Sequence, residues 1–276
     1  MSSIAAALAG ARASIAINEA RLLLRHVLGV EAAWLEAHRD DKLSWRAQEA
    51  FAALVERRAC GEPVAYLMGF REFYGREFSV TPAVLIPRPE TELLVDLARA
   101  KVGHCRSATL LDLGTGSGCV AISLALELPD ALVAGADIAS ETLAVARANA
   151  SLLGADVSFV ESDWFERFSE QRFDCIVGNP PYVAAGDVHL TAGDLRFEPP
   201  AALVCGPHDT SGLDAIRHII AEAPHYLAPG GWLFLEHGHD QADALLELLT
   251  QRGFAAIEQH RDLAGIVRVS GGRCGA

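Results

Sequence analysis

From Thr109 onward the chain alternates short apolar runs with helical stretches, and this alternation limits the fold more than any other feature. Runs at 110–113, 132–138, 157–161, 173–177 and 232–236 read as strands, while 119–128, 141–153, 213–227 and 242–251 read as helices. Strands separated by helices predict a parallel sheet covered on both faces. Two last runs, 255–259 and 265–269, have no helix between them. They are expected to be antiparallel neighbours, because a parallel pair needs a long crossover. The expectation is an α/β, Rossmann-like fold built on a seven-stranded mixed sheet with one antiparallel strand.

The residues before this region have a different pattern. Residues 1–60 carry helical spacing and no strand signal, with Ala20, Leu23, Leu24, Val27 and Leu28 on one apolar face. Gly29 stops that helix, a second spans 34–38, Ser44 precedes a third, and Gly61 and Pro63 close it. Glu72 to Val80 reads as two short strands around a glycine turn, and Pro82, Pro87 and Pro89 stiffen the next segment. We therefore expect an N-terminal helical domain over 1–70, a β-hairpin and proline-rich linker over 71–90, and a strand–helix domain over 91–276.

Charge follows the same division. The net charge is −13, yet residues 1–80 hold ten basic and ten acidic side chains and the remainder holds 13 and 26. An acidic body argues against docking onto long nucleic acid through a basic surface. Among the six cysteines none pair as C-x-x-C, no His/Cys cluster has zinc-ligand spacing, and Cys119 and Cys175 sit in apolar runs as core residues. No metal is expected, and His237 and His239 read as loop histidines. A reduced, cytoplasmic protein is expected. No run reaches the roughly 18 apolar residues of a membrane span, and the Ala-rich start reads as an ordinary helix.

Asp112-Leu113-Gly114-Thr115-Gly116-Ser117-Gly118 lies where the first strand of the alternation meets its helix. Glycines there let the backbone turn sharply and approach a ligand closely. The dinucleotide pattern G-x-G-x-x-G would need glycine where the chain has Cys119, which disfavours nicotinamide and flavin cofactors. Asp137 ends the second strand, where a carboxylate can accept both ribose hydroxyls. A helix-capping role for Asp137 is the bland alternative, although Ser140 suits that role. Asp163 and Trp164 end the third strand, where they can meet an adenine amino group and ring; simple aromatic packing of Trp164 is the alternative. Three strand ends in register point to an adenosine-bearing cofactor without phosphates.

The fourth strand ends in Asn179-Pro180-Pro181-Tyr182. Ligands in open α/β sheets bind beyond the carboxyl ends of the strands, so this tetrapeptide is expected to face the cofactor. The Asn179 side-chain oxygen and the Pro180 carbonyl offer two acceptors, which suits an –NH₂ group, and Tyr182 offers a flat face for a planar amide or base. A Pro-Pro turn with a capping Asn is the structural alternative. Holding such a nitrogen in line with a methyl carbon is catalysis by orientation, and hydrogen bonds to its protons favour the positive charge that develops.

These residues together resemble the HemK/PrmC family of protein-glutamine methyltransferases that act on peptide chain release factors. The resemblance runs nearly end to end. It includes Gly61-Glu-Pro-Val-Ala-Tyr66, Arg71-Glu-Phe73, Leu85-Ile-Pro-Arg-Pro-Glu-Thr-Glu92, the glycine turn 112–118, Asp163-Trp-Phe165, Asn179-Pro-Pro-Tyr182 and Glu198-Pro199. It implies a class I methyltransferase fold, S-adenosyl-L-methionine as cofactor with S-adenosyl-L-homocysteine as product, and methylation of the glutamine amide in a Gly-Gly-Gln motif. By the same resemblance Asp112, Gly114, Thr115, Gly116, Ser117, Gly118, Asp137, Asp163, Trp164 and Asn179 would hold the cofactor. Asn179, Pro180, Pro181 and Tyr182 would hold the glutamine, with Phe73 and the segment 87–90, including Arg88, shaping the pocket mouth. Asn179, Pro180 and Tyr182 would carry the catalysis. The expected partner is a release factor gripped by the helical domain, with no direct nucleic acid, no membrane and a monomeric enzyme. The stretch 205–213 is longer than the family's run at that point and carries no assigned role. The alternatives are an amino methyltransferase acting on adenine or guanine in nucleic acid, and a non-catalytic binding protein on the same fold.

Overall fold

The computed structural model describes residues 2–105, 107–206 and 208–275. The chain divides into two compact units, Met1–Phe70 with Thr191–Phe197, and Arg71–Leu190 with Glu198–Ala276.

The first unit is helical: α1 (Ile4–Ala11), α2 (Ile17–Leu28), α3 (Ala32–Ala37), α4 (Trp45–Ala59) and α5 (Val64–Met68). The Ser44 hydroxyl caps α4 by accepting from the Ala47 N–H at 3.2 Å, and Gly29 ends α2 in the left-handed region at φ 65°. Ala20, Leu23, Leu24, Leu35, Phe51 and Leu67 form its buried core. The short α5 is absent from the sequence reading, which takes Pro63 only as a terminator; Pro63 also occupies the N-cap position of α5. Thr191–Phe197 joins this unit partly because the Arg58 guanidinium donates to both Glu19 and Asp194, each at 2.9 Å.

The second unit opens inside a hairpin, β1 (Phe70–Phe73) and β2 (Arg76–Ser79), of which all but Phe70 belongs to it; Tyr74 and Gly75 make the turn at φ 51° and 72°. This hairpin is not a detached linker. Phe73 and Phe78 stack edge-on, with ring centroids 6.0 Å apart, inside a core shared with Leu94, Val95 and Val120. Helix α6 (Glu92–Val102), which precedes the strand–helix alternation and escapes the sequence reading, presents Leu94, Val95, Ala98 and Val102 to that core.

The main sheet contains β3 (Thr109–Leu113), β4 (Leu132–Asp137), β5 (Ser158–Glu161), β6 (Phe173–Gly178), β7 (Leu227–Glu236), β8 (Ala255–Arg261) and β9 (Val267–Arg273), in the order β5-β4-β3-β6-β7-β9-β8. The expected mixed sheet with one antiparallel strand is present. That strand is β9, antiparallel to both β7 and β8 and lying between them rather than at the edge. Helices α7 (Cys119–Glu127), α8 (Ser140–Leu153), α9 (Asp214–Glu222) and α10 (Ala242–Arg252) complete the layers. Alternate strand residues serve opposite faces. Leu110, Cys175, Val177 and Phe234 pack toward α6 and α7, whereas Leu111, Ile176, Leu233 and Leu235 pack toward α9 and α10. Helix α9 ends earlier than the sequence suggests, in a turn through Pro224 that cannot continue an α-helix, and β7 starts before the Gly230-Gly231 pair. His237 lies in the loop just past β7, as expected, but it is buried: its Nε2 lies 2.8 Å from the Ser270 hydroxyl, and burial lowers its pKa.

Candidate functional site

Strand order reverses beside β3: the chain runs outward through β4 and β5, then returns to pair β6 on the other side of β3. A crevice is expected beyond the carboxyl ends of the strands at such a switch. A cavity of about 390 Å³ opens there, lined among others by Gly114 and Gly116, Asp137, Asp163 and Trp164, Asn179 and Pro181. The carboxyl ends of β3, β4, β5 and β6 thus each contribute to one wall.

The glycine turn is forced by geometry at two points. Gly116 sits at φ 57°, and its N–H donates to Asp137 Oδ2 at 3.0 Å. Gly118 sits at φ 81°, where a Cβ would come within 2.9 Å of Ile122 and 3.1 Å of Ala146. Asp137 also accepts from the Ala139 N–H at 3.1 Å. Ser140 is the first residue of α8 rather than its cap, so the carboxylate both braces the glycine turn and orders the start of that helix. Burial pushes the Asp137 pKa up, against the N–H bonds that lower it.

Several residues expected to meet the cofactor stand behind the cavity wall instead. Asp112 is 2% exposed and accepts from the Thr115 hydroxyl at 2.6 Å and from the Ala121 N–H at 3.2 Å. Burial pushes its pKa up to about 7. Asp112, Thr115, Ser117 and Gly118 shape the turn from beneath and do not line the cavity. Phe73, expected at the pocket mouth, is a core residue at 1% exposure, because the hairpin folds into the body of its unit. Arg88 forms an ion pair with Glu198, which also accepts from the Ile86 N–H at 3.1 Å, so it fastens the segment 86–88 rather than facing the cavity.

The tetrapeptide after β6 divides in the same way. Asn179 and Pro181 line the cavity; Pro180 is buried and Tyr182 is half-buried with its hydroxyl 3.3 Å from Glu236. The Tyr182 carbonyl accepts from Gln241 Nε2 at 3.0 Å, and the same nitrogen donates to the Ser211 and Gly212 carbonyls. Gly212 must be glycine: at φ 65° its Cβ would come within 2.1 Å of the Tyr182 carbonyl. In the stretch 205–213, whose residue 207 lies outside the described residues, Asp209 accepts from the Ser211, Leu213 and Asp214 N–H groups and anchors the start of α9. The sequence reading missed Thr91 and Glu236. Asn179 Nδ2 donates to the Thr91 hydroxyl at 3.3 Å, and that hydroxyl donates to Glu236 Oε2 at 2.6 Å. Thr91 was visible only as part of a motif, and for Glu236 the one signal was a glutamate at the end of an apolar strand.

The lining chemistry tests the cofactor expectation. A volume near 390 Å³ falls within the usual range of about 300–1,000 Å³ for small-molecule sites. Three carboxylates, Asp137, Glu141 and Asp163, line it, with no lysine or arginine among the lining residues. Trp164 lies near Gly114, where a Cβ would be 3.8 Å from its ring. This set suits an adenosine bearing a cationic group and offers no countercharge for a pyrophosphate.

Residues 1–69 match the PrmC N-terminal domain family, and residues 89–203 match the methyltransferase small domain family. The chain is 48% identical over 275 residues to a release factor glutamine methyltransferase from Xylella fastidiosa, covering 99% of both. The corresponding enzyme of Bordetella pertussis is 49% identical over 255 residues, covering 92% of this chain and 93% of its own. This chain belongs to the release factor glutamine methyltransferase family. Release factor glutamine methyltransferases of Salmonella typhimurium and Vibrio cholerae are likewise 44% and 42% identical to it. The fold has solved counterparts. A Thermus thermophilus 16S rRNA N2 G1207 methyltransferase complexed with AdoMet and guanosine superposes with a TM-score of 0.55 at 22% identity, covering 74% of this chain and 49% of that one. A Pyrococcus furiosus methyltransferase gives 0.53 at 18% identity, covering 80% and 98%. Among the described residues no group of three or more metal-ligating side chains exists and no helix is long and apolar enough to cross a membrane.

Proposed function

We propose that this chain transfers a methyl group from S-adenosyl-L-methionine to the side-chain amide nitrogen of the glutamine in a release factor Gly-Gly-Gln motif, acting as a cytoplasmic monomer. The observation that carries the reading is near-full-length identity to enzymes of that name, on a chain that places Asn179 on the wall of the strand-end cavity. Gly114 and Gly116 would lie against the cofactor, Asp137 would accept its ribose hydroxyls, and Asp163 with Trp164 would take the adenine. When bound, the cofactor supplies an electrophilic methyl group whose bond to sulfur breaks as the bond to nitrogen forms, leaving S-adenosyl-L-homocysteine.

The Asn179 side-chain oxygen accepts one amide N–H and the Pro180 carbonyl accepts the other. These acceptors hold the delocalised, weakly nucleophilic nitrogen in line and stabilise the positive charge that develops on it. The proton leaves nitrogen after the C–N bond forms, so no strong base is required beforehand. The carboxylate-lined cavity supports a sulfonium ligand by charge, and the near-full-length relatives named release factor glutamine methyltransferases favour a protein amide over a nucleic-acid amine.

The test is incorporation of label from radiolabelled S-adenosyl-L-methionine into purified release factor, its Gln→Ala variant, RNA or DNA. Label in release factor alone is expected. Label confined to nucleic acid would overturn the substrate, and label surviving in the Gln→Ala variant would overturn the target residue. Asn179→Ala should lower turnover by roughly 100-fold while preserving the fold, the scale of losing one transition-state hydrogen bond.

A further inference from the structure

We propose that Glu236, acting through Thr91, fixes which way the Asn179 side-chain amide points and so makes Asn179 an acceptor toward the reacting nitrogen. This rests on the methyl-transfer reading above. A primary amide has two similar ends, one that donates and one that accepts. An acceptor role at the substrate requires Asn179 to keep its NH₂ end turned away, and nothing in the cavity wall alone enforces that.

The hydrogen-bond chain does. Glu236 is 2% exposed at the end of β7, and as a carboxylate it can only accept. Its Oε2 lies 2.6 Å from the Thr91 hydroxyl, whose single hydrogen is therefore committed to it. With that hydrogen spent, the Thr91 oxygen can only accept, and the group facing it at 3.3 Å is Asn179 Nδ2. The order Asn179→Thr91→Glu236 leaves Asn179 Oδ1 as the free end. The second carboxylate oxygen takes the Tyr182 hydroxyl at 3.3 Å, so the same glutamate also steadies the last residue of the tetrapeptide. Glu236 touches neither cofactor nor substrate in this scheme; it is a positioning residue.

Replacing the carboxylate by an isosteric amide reverses the logic. A glutamine at this place must turn its NH₂ either toward Thr91, which then donates to Asn179 Oδ1 and flips it, or toward Tyr182, whose phenolic hydrogen loses its acceptor. Thr91→Val removes the relay altogether, while Thr91→Ser keeps it.

The experiment compares full-length wild type, Glu236→Gln, Thr91→Val and Thr91→Ser for release factor methylation, cofactor affinity by calorimetry, and the Asn179 side-chain NH₂ signal by NMR. Glu236→Gln and Thr91→Val should lose about 10–100-fold in kcat, with cofactor affinity and the release factor KM within about twofold of wild type. Thr91→Ser should recover the rate lost in Thr91→Val. Slow hydrogen exchange of the Asn179 NH₂ should be seen in wild type and Thr91→Ser and lost in Thr91→Val. Adding Thr91→Val to Asn179→Ala should cost almost nothing further, because both act through one amide. Wild-type kcat in both Glu236→Gln and Thr91→Val, or full additivity with Asn179→Ala, would overturn the proposal. Should Glu236→Gln not fold, the two Thr91 variants decide. A wild-type chain that labels no release factor would overturn the underlying reading instead, and the NH₂ exchange pattern would still decide the orientation.

Discussion

Asp112 and Glu236 are both fully enclosed carboxylates whose pKa values burial pushes up to about 7, against the hydroxyl hydrogen bonds that lower them. Each prefers its proton in the folded state more than in the unfolded chain. The stability each contributes is therefore fully present below its unfolded pKa, near 4, and is lost as pH rises through about 7. We expect unfolding midpoints in urea to fall between pH 5 and about pH 8, by an amount on the order of a few kcal/mol in stability, and Asp112→Asn to shrink that fall. Activity should move the other way. Protonated Glu236 can donate to Thr91 and undo the orientation of Asn179, so kcat should rise with pH through about 7. Glu90, Tyr182, Arg268 and the Cys119 thiol bear on the same carboxylate, and a kcat–pH profile that loses this rise in Glu236→Gln checks the assignment. At Asp137 the expected outcome is different: Asp137→Ala should weaken cofactor binding about tenfold or more in calorimetry, since it removes both the acceptor in the cavity and the brace on Gly116.

At the scale of elements, the site depends on turns held from behind. The segment after β6 is gripped by Gln241 from the start of α10 and by the close approach of Gly212. Gly212→Ala would place a methyl group against the Tyr182 carbonyl in a left-handed backbone conformation, so the turn must move. A drop in melting temperature of several degrees, about 2 kcal/mol or more, together with lost methyl transfer, is the expected result. Elements were legible to different degrees. The caps at Ser44 and Gly29 announce themselves because one side chain and one torsion angle decide them locally. The hairpin was also legible as a hairpin, but its fate was not: Phe73 lies in the core because α6 covers it, and sequence spacing carries no record of that packing.

Over the whole molecule, the two units have separate cores, Leu23, Leu24 and Phe51 in one and the two faces of the sheet in the other. A fragment comprising residues 71–276 is expected to retain cofactor affinity while release factor methylation falls about tenfold or more, checked by calorimetry and labelling on the same preparation. The charge division supports this assignment of tasks. The net −13 arises beyond residue 80, where three carboxylates line the cavity, and the first 80 residues are balanced.

Residue order alone specifies the alternation of strands and helices, the glycine turn and the Asn-Pro-Pro-Tyr segment, because periodicity, φ preferences and proline restraint act between near neighbours in the chain. It placed Gly114, Gly116, Asp137, Asp163, Trp164 and Asn179 at strand ends, and the structure brings these six around one cavity. Packing in three dimensions inserts β9 between β7 and β8, turns Asp112 inward and brings Thr91 and Glu236 to Asn179. Thr91 and Glu236 are 145 residues apart along the chain, and a hydrogen bond depends on distance and direction in space.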